Sequence, residues 1–501
     1  MKRTTAVSMA MLLAGIVTFI VLVFTAGCAM GPNYKRPQVD VPGAYRGAPQ
    51  AESTQPRQSP SQPAPQPPEA KAQQGSQPAA QPAEQSLGDQ KWWEVFQDPQ
   101  LRELIRTALK QNYDVRVAAT RILEAQAQLG IARADQLPAI DAGAVAVNDR
   151  FPKTKPLPQF ETDANGVGVS MAWELDFWGK YRRAAEAARA NLLATEWARR
   201  EVTSTLVSRV AAAYFELRAY DLQLEIARRT LVSRQESLQL TRSLADGGSA
   251  TMLDVRQAEQ LVAVAAETIP DLERRIEQQE NLISTLLGNN PGPISRGMKL
   301  PEQPHLPDVP AGIPSRLLER RPDIRAAEAQ LMAANAQIGV ARAAWFPQIT
   351  LTGYSGFLSS SLTSLFTGPA GLWNFGGSLA QPILSGGRIR SGVRLSEARK
   401  DELVLTYRQT IQQAFRGISD ALVGYQKSRE FRTHQEELVV AARDAARLSD
   451  VRYRGGAASC LEVLTNETNA FSAELGLAQA QLNELLSLVE IYRNLGGGWE
   501  S

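Results

Sequence analysis

The sequence predicts a mixed membrane protein in which each chain supplies four β-strands and two long helical hairpins. Three observations predict this class: an export signal that ends in a cysteine, an internal duplication, and strand and helix patterns that recur in both halves. The formal net charge is only +2 over 501 residues, so the charge indicates no polyanionic partner such as a nucleic acid. Two histidines and two cysteines are too few for a structural metal cluster.

The first residues form an export signal rather than a part of the fold. Basic residues precede an apolar run from Met9 to Phe24, and small residues then lead to Cys28. The Ala-Gly-Cys tripeptide that ends at Cys28 resembles the bacterial lipobox, whose cysteine is acylated and becomes the mature N-terminus. This resemblance implies a signal peptide at 1–27 and N-acyl and S-diacylglycerol lipid on Cys28, whereas the alternative is an uncleaved membrane anchor. Ala29 is not the aspartate that retains lipoproteins at the inner membrane, which implies the Gram-negative outer membrane.

A stretch rich in Pro, Gln, Ala and Ser follows, from Pro49 to Pro82. Such a composition cannot bury enough apolar surface to fold, so it predicts an extended tether within a lipid-anchored N-terminal segment at 28–91. Order is expected to begin near Trp92, with Asp98 as the cap of a helix. Beyond the signal, no run approaches the roughly 18 apolar residues that a spanning helix needs, so the chain would span a membrane only as strands.

An internal duplication organises the rest of the chain. DVRVAATRILEAQAQLGIARADQLPAI at 114–140 matches DIRAAEAQLMAANAQIGVARAAWFPQI at 323–349, and LADGGSATMLDV at 244–255 matches RYRGGAASCLEV at 452–463. The two matches have nearly the same offset, which indicates two structural repeats rather than two chance similarities. The expected divisions are repeat 1 at 92–300, a linker at 301–316 and repeat 2 at 317–501.

Each repeat predicts two strands in which bulky apolar residues alternate with small or polar ones. Trp373 and Phe375, for example, alternate with Asn374 and Gly376. This pattern fits a transmembrane barrel with lipid outside and water inside, and a half-buried soluble sheet is the alternative that the export signal disfavours. The predicted strands cover 139–147, 166–175, 348–356 and 372–382.

Long helices complete each repeat. No proline lies between Gln159 and Ile269 or after Ile383, and the first hairpin repeats apolar residues at three- and four-residue spacing. A helix from Lys180 to Ala245 would be roughly 100 Å long at 1.5 Å per residue. The spacing predicts antiparallel coiled-coil hairpins, with Arg234 as a polar intruder and a kink or local end at Pro270. The hairpin tips are expected at 245–254 and 453–463.

Four strands cannot close a membrane barrel, and an open edge in lipid leaves backbone groups unsatisfied at several kcal/mol each. The chain is therefore expected to oligomerise. A dimer would give eight strands and a filled lumen, whereas a trimer would give twelve strands with room for water. Two hairpins per chain would also supply a trimer with enough helices to close a tube. The prediction is a homotrimer.

Several stretches resemble the TolC-type outer-membrane efflux channels, specifically their OprM-like or NodT-type lipoprotein branch. They are GCAMGPNYKRP at 27–37, WWEVFQDPQLRELI at 92–105, RRPDIRAAEAQLMAANAQIGVARAAWFPQI at 320–349 and both Gly-Gly tips. The resemblance implies a trimeric 12-stranded β-barrel continued by an α-helical coiled-coil tunnel across the periplasm. It also implies a periplasmic adaptor (membrane fusion) protein and an inner-membrane pump, often a proton-driven RND pump, as partners. The chain would be a passive exit duct for drugs or other small molecules.

The resemblance further implies an iris-like gate at the hairpin tips. By position, its constricting acidic residues would be Glu462 and, in the first repeat, Asp254, with Tyr453 as a latch for the closed state. Arg452 and Arg454 are expected to pair with carboxylates of neighbouring hairpins. Each tip would turn on a glycine pair that caps its helix in left-handed conformations, namely Gly247, Gly248, Gly455 and Gly456.

Other functions fit the sequence less well. A periplasmic coiled-coil adaptor would have hairpins but not duplicated alternating strands. Within the channels, metal efflux and type I protein secretion are the alternatives to multidrug efflux. An envelope enzyme is disfavoured because no P-loop, metal constellation or nucleophile–histidine–acid set occurs. Cys460 aligns with Met252, so it is expected to be a mid-sized apolar side chain with a free thiol and no catalytic role.

Overall fold

The computed structural model of the chain describes residues 29–46, 86–152, 160–304, 309 and 312–499. Cys28, the predicted signal peptide and the predicted Pro/Gln-rich tether lie outside the described residues. The helices are α1 (Trp92–Val95), α2 (Pro99–Gln111), α3 (Tyr113–Ala134), α4 (Lys180–Asp246), α5 (Met252–Leu286), α6 (Pro314–Arg320), α7 (Pro322–Ala343), α8 (Arg388–Arg454) and α9 (Cys460–Asn494). The strands are β1 (Ala139–Phe151), β2 (Phe160–Glu174), β3 (Gln348–Ser359) and β4 (Gly371–Ala380).

The chain divides into two compact units, each built from several segments. The strand unit comprises Met1–Val39, Ala119–Trp197 and Arg325–Gln409, and it contains all four strands. The hairpin unit comprises Asp40–Ala118, Ala198–Ile324 and Thr410–Ser501, and it contains both helical turns at the Gly-Gly pairs.

The strands form one antiparallel sheet in the order β1-β2-β3-β4. The pairing of β1 with β2 runs from Ala139 opposite Ala172 to Phe151 opposite Phe160, so both strands extend beyond the predicted limits. The extension is polar, from Asn148 to Arg150, and so it carries little of the apolar alternation on which the prediction relied. Backbone hydrogen bonds continue the ladder regardless of side-chain polarity.

The two longest helices, α4 and α8, each contain 67 residues. None of the described helices combines the length and the apolar character that a bilayer-spanning helix requires. Helix α5 contains Pro270 and continues through it from Met252 to Leu286, so the helix does not end there as the sequence allowed. A proline removes one backbone donor, and the packed apolar face of α5 keeps the remaining turns in place.

Asp98 organises the centre of the hairpin unit. As predicted, its side chain caps a helix, since Oδ1 accepts from the backbone N–H of Gln100 at 2.8 Å. Its other oxygen accepts from the Tyr214 hydroxyl and from the Gln303 amide, each at 2.9 Å. The carboxylate is fully buried, so these donors replace the water that it loses on folding.

Helix α9 packs against the first hairpin through two apolar clusters. Phe471 and Ala478 lie against Ile226, Ala227 and Leu272. The second cluster lies next to the tips and consists of Leu238, Val255, Ala258, Cys460 and Leu464. The interface between α9 and the first hairpin is called the seam below. Arg234, the polar residue that interrupts the apolar spacing, is buried in this seam.

Candidate gate at the hairpin tips

Both tips have the same backbone conformation. After α4, the N–H of Gly248 donates to Ala245 O at 3.0 Å, and Gly248 adopts a φ of 77°. After α8, the N–H of Gly456 donates to Tyr453 O at 2.9 Å, and Gly456 adopts a φ of 73°. Only the second glycine of each pair is left-handed, because one residue with positive φ is enough to turn the chain out of a helix.

The first tip restarts its helix with a complete capping box. The Thr251 hydroxyl accepts from the Asp254 N–H at 3.3 Å, and Asp254 Oδ2 accepts from the Thr251 N–H at 2.8 Å. The same oxygen accepts from the Thr251 hydroxyl at 2.7 Å. Asp254 therefore has a local task at the start of α5, since it satisfies backbone donors that the first turn leaves open.

The second tip restarts its helix with only half of that arrangement. Ser459 accepts from the Glu462 N–H at 3.3 Å, but the Glu462 carboxylate instead contacts Arg452 Nη1 at 2.8 Å. Arg452 also donates to Ala457 O at 3.1 Å, so it spans the turn within its own hairpin. Arg454 pairs with Asp450 at 2.9 Å, one helical turn before it. Within this chain, both arginines find their carboxylates in their own hairpin rather than in a neighbouring one.

Tyr453 of the second tip packs against residues of the first hairpin. It is half-buried and packs against the cluster of Leu238, Val255 and Cys460, which Ala245 of the first tip also contacts. Burial raises the pKa of the Tyr453 hydroxyl, and the adjacent Cys460 raises it further. The side chain thus joins the two tips of one chain through apolar contact.

Cys460 and Met252 occupy matched positions but different environments. Cys460 is a free thiol that is only 6% exposed, whereas Met252 is 62% exposed. The expectation of a shared apolar position is therefore wrong for the first repeat. Helix α9 turns its first residue into the cluster, whereas α5 turns its first residue outward. Burial and the nearby Asp254 raise the pKa of the Cys460 thiol, which disfavours the reactive thiolate.

Two charged residues of the seam, Arg234 and Glu467, were not among the site residues that the sequence predicted. The Arg234 guanidinium lies over the Phe471 ring at 4.9 Å and donates to Leu261 O at 2.8 Å. Glu467 accepts from the Ser237 hydroxyl at 3.0 Å. Burial lowers the pKa of Arg234 and raises the pKa of Glu467. Only the break in apolar spacing at Arg234 gave a signal in the sequence, because the burial of Glu467 depends on contacts between hairpins.

The contacts that hold the two tips are local and non-covalent. Among the described residues, no group of three or more His, Cys, Asp and Glu side chains is arranged to hold a metal ion. The tips instead combine a glycine turn, an ion pair and an apolar contact between hairpins. Exposed ion pairs contribute about 0–1 kcal/mol, so the Arg452–Glu462 pair can break at low cost.

Comparison with known proteins identifies the family. The profile described as "Outer membrane efflux protein" matches residues 104–289 and 313–497. The probable efflux pump outer membrane protein TtgC of Pseudomonas putida is 36% identical over 482 residues, covering 94% of this chain and 93% of the relative. The solvent efflux pump outer membrane protein SrpC of Pseudomonas putida is 39% identical over 409 residues, covering 81% and 87% of the two chains.

Solved structures agree with this assignment. The outer-membrane channel OprN superimposes with a TM-score of 0.81 at 30% identity, covering 94% of this chain and 100% of that one. The open state of the Neisseria gonorrhoeae MtrE outer membrane channel gives a TM-score of 0.80 at 29% identity, covering 94% and 99%. Sequence and fold agree over nearly the whole chain, and the chain therefore belongs to the outer membrane efflux protein family.

Proposed function

We propose that three copies of this chain form a 12-stranded outer-membrane barrel that a helical coiled-coil tunnel continues into the periplasm. Family membership makes the chain an outer-membrane efflux protein, the exit duct of a tripartite efflux system. The two repeats, the trimer, the lipid anchor and the gate extend that assignment. The duct conducts passively and performs no enzymatic reaction, so the energy for transport comes from a partner.

The open four-stranded sheet is the observation that carries the proposal. In the order β1-β2-β3-β4, the outer edges of β1 and β4 have no neighbouring strand within the described chain. In a bilayer, each unsatisfied backbone group on such an edge costs several kcal/mol. Pairing β4 of one copy with β1 of the next removes both edges, and three copies give twelve strands around a water-filled lumen.

Exposed aromatic and aliphatic side chains support a lipid-facing sheet. Trp373, Phe375 and Leu379 lie on the same face of β4 because they are separated by even numbers of residues. They are 80%, 66% and 67% exposed in the single chain. A bilayer would cover this face, whereas in water it would be an aggregation hazard.

The gate is proposed at the tips, where three copies would bring six turns together. Glu462, paired with Arg452, and Tyr453, packed between the hairpins, would hold the closed state. Asp254 would contribute negative charge to the gate in addition to capping the start of α5. Rings of carboxylates favour cations and repel one another, so the tips would resist close approach unless arginines neutralise them.

The partners and the anchor complete the proposal. A periplasmic adaptor protein and an inner-membrane pump, proposed as a proton-driven RND pump, would deliver drugs or other small molecules to the tunnel. Relatives carry names such as toluene and solvent efflux proteins, which supports small organic cargo. Cys28 would carry N-acyl and S-diacylglycerol lipid in the outer membrane, because the sequence before it resembles a lipobox, apart from Thr25 where leucine is commonest.

Single-channel recording in planar bilayers tests the gate, on preparations first shown by crosslinking to be trimers. Glu462→Gln breaks the ion pair with Arg452 and should raise conductance severalfold, because the second tip loses its hold on the turn. Tyr453→Ala should raise it as well. Asp271→Asn, which changes an exposed carboxylate in α5 away from the tip, is the matched control and should leave conductance unchanged. Unchanged conductance in both tip variants would rule out this gate, and a dimer would rule out the 12-stranded barrel.

A further inference from the structure

A short extended segment next to the proposed lipid site packs tightly on the strand unit. This segment, Ala29–Pro37, is called the strap below. The Met30 N–H donates to Trp178 O at 3.0 Å, and the Asn335 amide donates to Pro32 O at 2.8 Å. Farther along, Arg36 forms an ion pair with Glu328 at 3.1 Å. The strap is therefore hydrogen-bonded along most of its length.

Arg183 of α4 makes the largest set of contacts with the strap. Its Nε donates to Met30 O at 3.2 Å, and its Nη2 donates to Gly31 O at 3.4 Å and to Asn33 Oδ1 at 2.9 Å. Nη1 pairs with the half-exposed carboxylate of Glu186 at 2.7 Å, so an opposite charge lies beside the guanidinium. Arg183 as a whole residue is only 6% exposed. Because this buried, planar guanidinium donates to three strap residues, it fixes the position of the strap as well as supplying a charge.

Glycines make room for this close approach. Gly31 has a φ of 101°, and a Cβ there would lie 2.5 Å from the Gly339 Cα. A Cβ on Gly339 would lie 2.5 Å from Met30 O and 2.8 Å from the Arg183 Cγ. A Cβ on Gly179 would lie 2.8 Å from the Ala29 Cα. The strap thus touches helix α7 and the start of α4 at backbone distance.

The duplication supplies a comparison for this site. Gly130 of α3 is the counterpart of Gly339 in the first repeat, and a Cβ on Gly130 would meet no atom within 4 Å. Helix packing alone therefore does not explain the crowding at Gly339. The strap explains it, because Met30 lies directly on that helix.

We propose that the strap is a docked anchor: Arg183 and the glycine groove at Gly339 clamp the residues that follow the lipidated Cys28 onto the strand unit. This inference rests on the proposed lipid attachment. In this arrangement no slack chain separates the lipid site from the strand unit, because clamped contacts begin at Ala29 and Met30. The Pro/Gln-rich stretch comes later in the sequence and does not join the lipid to the strand unit.

Hydrogen exchange of the purified full-length protein tests the docking at the Met30 amide. Gly339→Ala should speed its exchange at least about tenfold, because the new methyl group displaces the Met30 carbonyl. Gly130→Ala, the matched control, should change it less than about twofold, since that methyl group enters open space. Arg183→Met and Arg183→Lys should both speed exchange, because neither retains the planar fork. Gly339→Ala keeps the test decisive if an Arg183 variant does not fold.

Three outcomes decide the proposal. Fast exchange at Met30 in the unmodified protein, or equal exchange in the Gly339 and Gly130 variants, would overturn the docking whatever the lipid result. Labelled palmitate should enter the unmodified protein and Gly339→Ala but not Cys28→Ala. Absence of label from the unmodified protein would overturn the lipid site, and with it the anchoring role, while leaving the exchange result to be judged separately.

Discussion

The two hairpin tips have the same backbone conformation but differ in the side-chain interactions around it. Gly248 and Gly456 have φ values within a few degrees of each other, and both turns use the same hydrogen-bond pattern. The first tip closes on itself through Thr251 and Asp254. The second tip has only half of a capping box, and its Glu462 carboxylate pairs with Arg452 across the turn.

A pair of matched glutamates shows the same divergence further along each hairpin. When the alignment of the two tips is continued along the chain, Glu259 in the first repeat corresponds to Glu467 in the second. The Glu259 side chain is partly exposed to solvent, and hydrogen bonds from Arg242 and Arg256 lower its pKa. Burial in the seam raises the pKa of Glu467. The counterpart of Arg242 in the second repeat is Asp450, which raises the pKa of Glu467 further.

This difference teaches that the two tips have the same backbone turn but different side-chain contacts. The backbone turn is the same in both repeats, since each long helix ends at one left-handed glycine, which is a common way to end a helix. The surroundings are not the same, because the second tip buries Cys460 in the seam whereas the matched Met252 of the first tip is exposed. The second tip is therefore the one whose state depends on contact between hairpins.

The largest expected effect comes from Tyr453→Ala. Removing the ring from the apolar cluster should destabilise the second tip by about 2 kcal/mol, since a half-buried aromatic side chain is lost. Hydrogen exchange of residues 452–463 should rise accordingly, with a smaller rise at the first tip. Tyr453→Phe keeps the ring and should differ little from the unmodified protein. Equal effects of the two substitutions would show that the hydroxyl group, not the ring, holds the tip.

A smaller effect is expected from the helix caps. Thr251→Ala removes the hydroxyl group that accepts from the Asp254 N–H and donates to Asp254 Oδ2, and leaves only the backbone half of the capping box. It should destabilise the start of α5 by about 1 kcal/mol. Ser459→Ala removes one long hydrogen bond and should cost about half as much at the start of α9. Local exchange rates at the two helix starts measure both variants. The reverse order would contradict the assignment of the complete box to the first tip.

The smallest effects on stability are expected from the matched glutamates, and their dependence on pH has opposite signs. The raised pKa of Glu467 means that its contribution to stability is full at low pH and declines as pH rises above about 4.5. The lowered pKa of Glu259 means that its contribution is full above about pH 4.5 and is lost as pH falls through the lowered value.

Replacement by glutamine should reveal these opposite signs. Relative to the unmodified protein, Glu467→Gln should gain stability as pH rises from acid toward neutrality, because glutamine mimics the neutral carboxyl group. Glu259→Gln should lose stability over the acidic part of the same range and then stay constant. Thermal unfolding midpoints in detergent between about pH 3 and 8 measure both. Parallel pH profiles for the two variants would refute the contrast.

Much of the fold could be predicted because its signals are local or repeated. Asp98 before a proline identified a helix start, and alternation at Trp373 and Phe375 identified a strand. The strand ends were missed where the side chains turn polar from Asn148 onward. The local end that Pro270 allowed is not seen, because the loss of one hydrogen bond is local whereas the packing of α5 extends along the helix. The alternative, a kink at Pro270, stays a prediction.

The candidate site was only partly predictable for the same reason. Glu462, Asp254 and Tyr453 could be named from their spacing to the glycine pairs, and whether they gate the channel stays a prediction. Nothing in the spacing distinguishes the capping task of Asp254 from the ion pair of Glu462. The burial of Glu467 and Cys460 depends on the seam, which is formed by residues more than two hundred positions apart in the chain.

The sequence by itself determined the duplication, the four alternating strands, the long helices and the positions of both turns. These follow from periodicity and from the conformational freedom of glycine, which act over a few residues. Only the tertiary structure decided which matched residues differ in their surroundings. Gly339 lies under the strap and Gly130 is open, Cys460 is buried and Met252 exposed, and Glu467 lies in the seam whereas Glu259 pairs with two arginines. The physical reason is that burial and charge environment depend on what packs against a residue, and in each pair the two repeats have different neighbours.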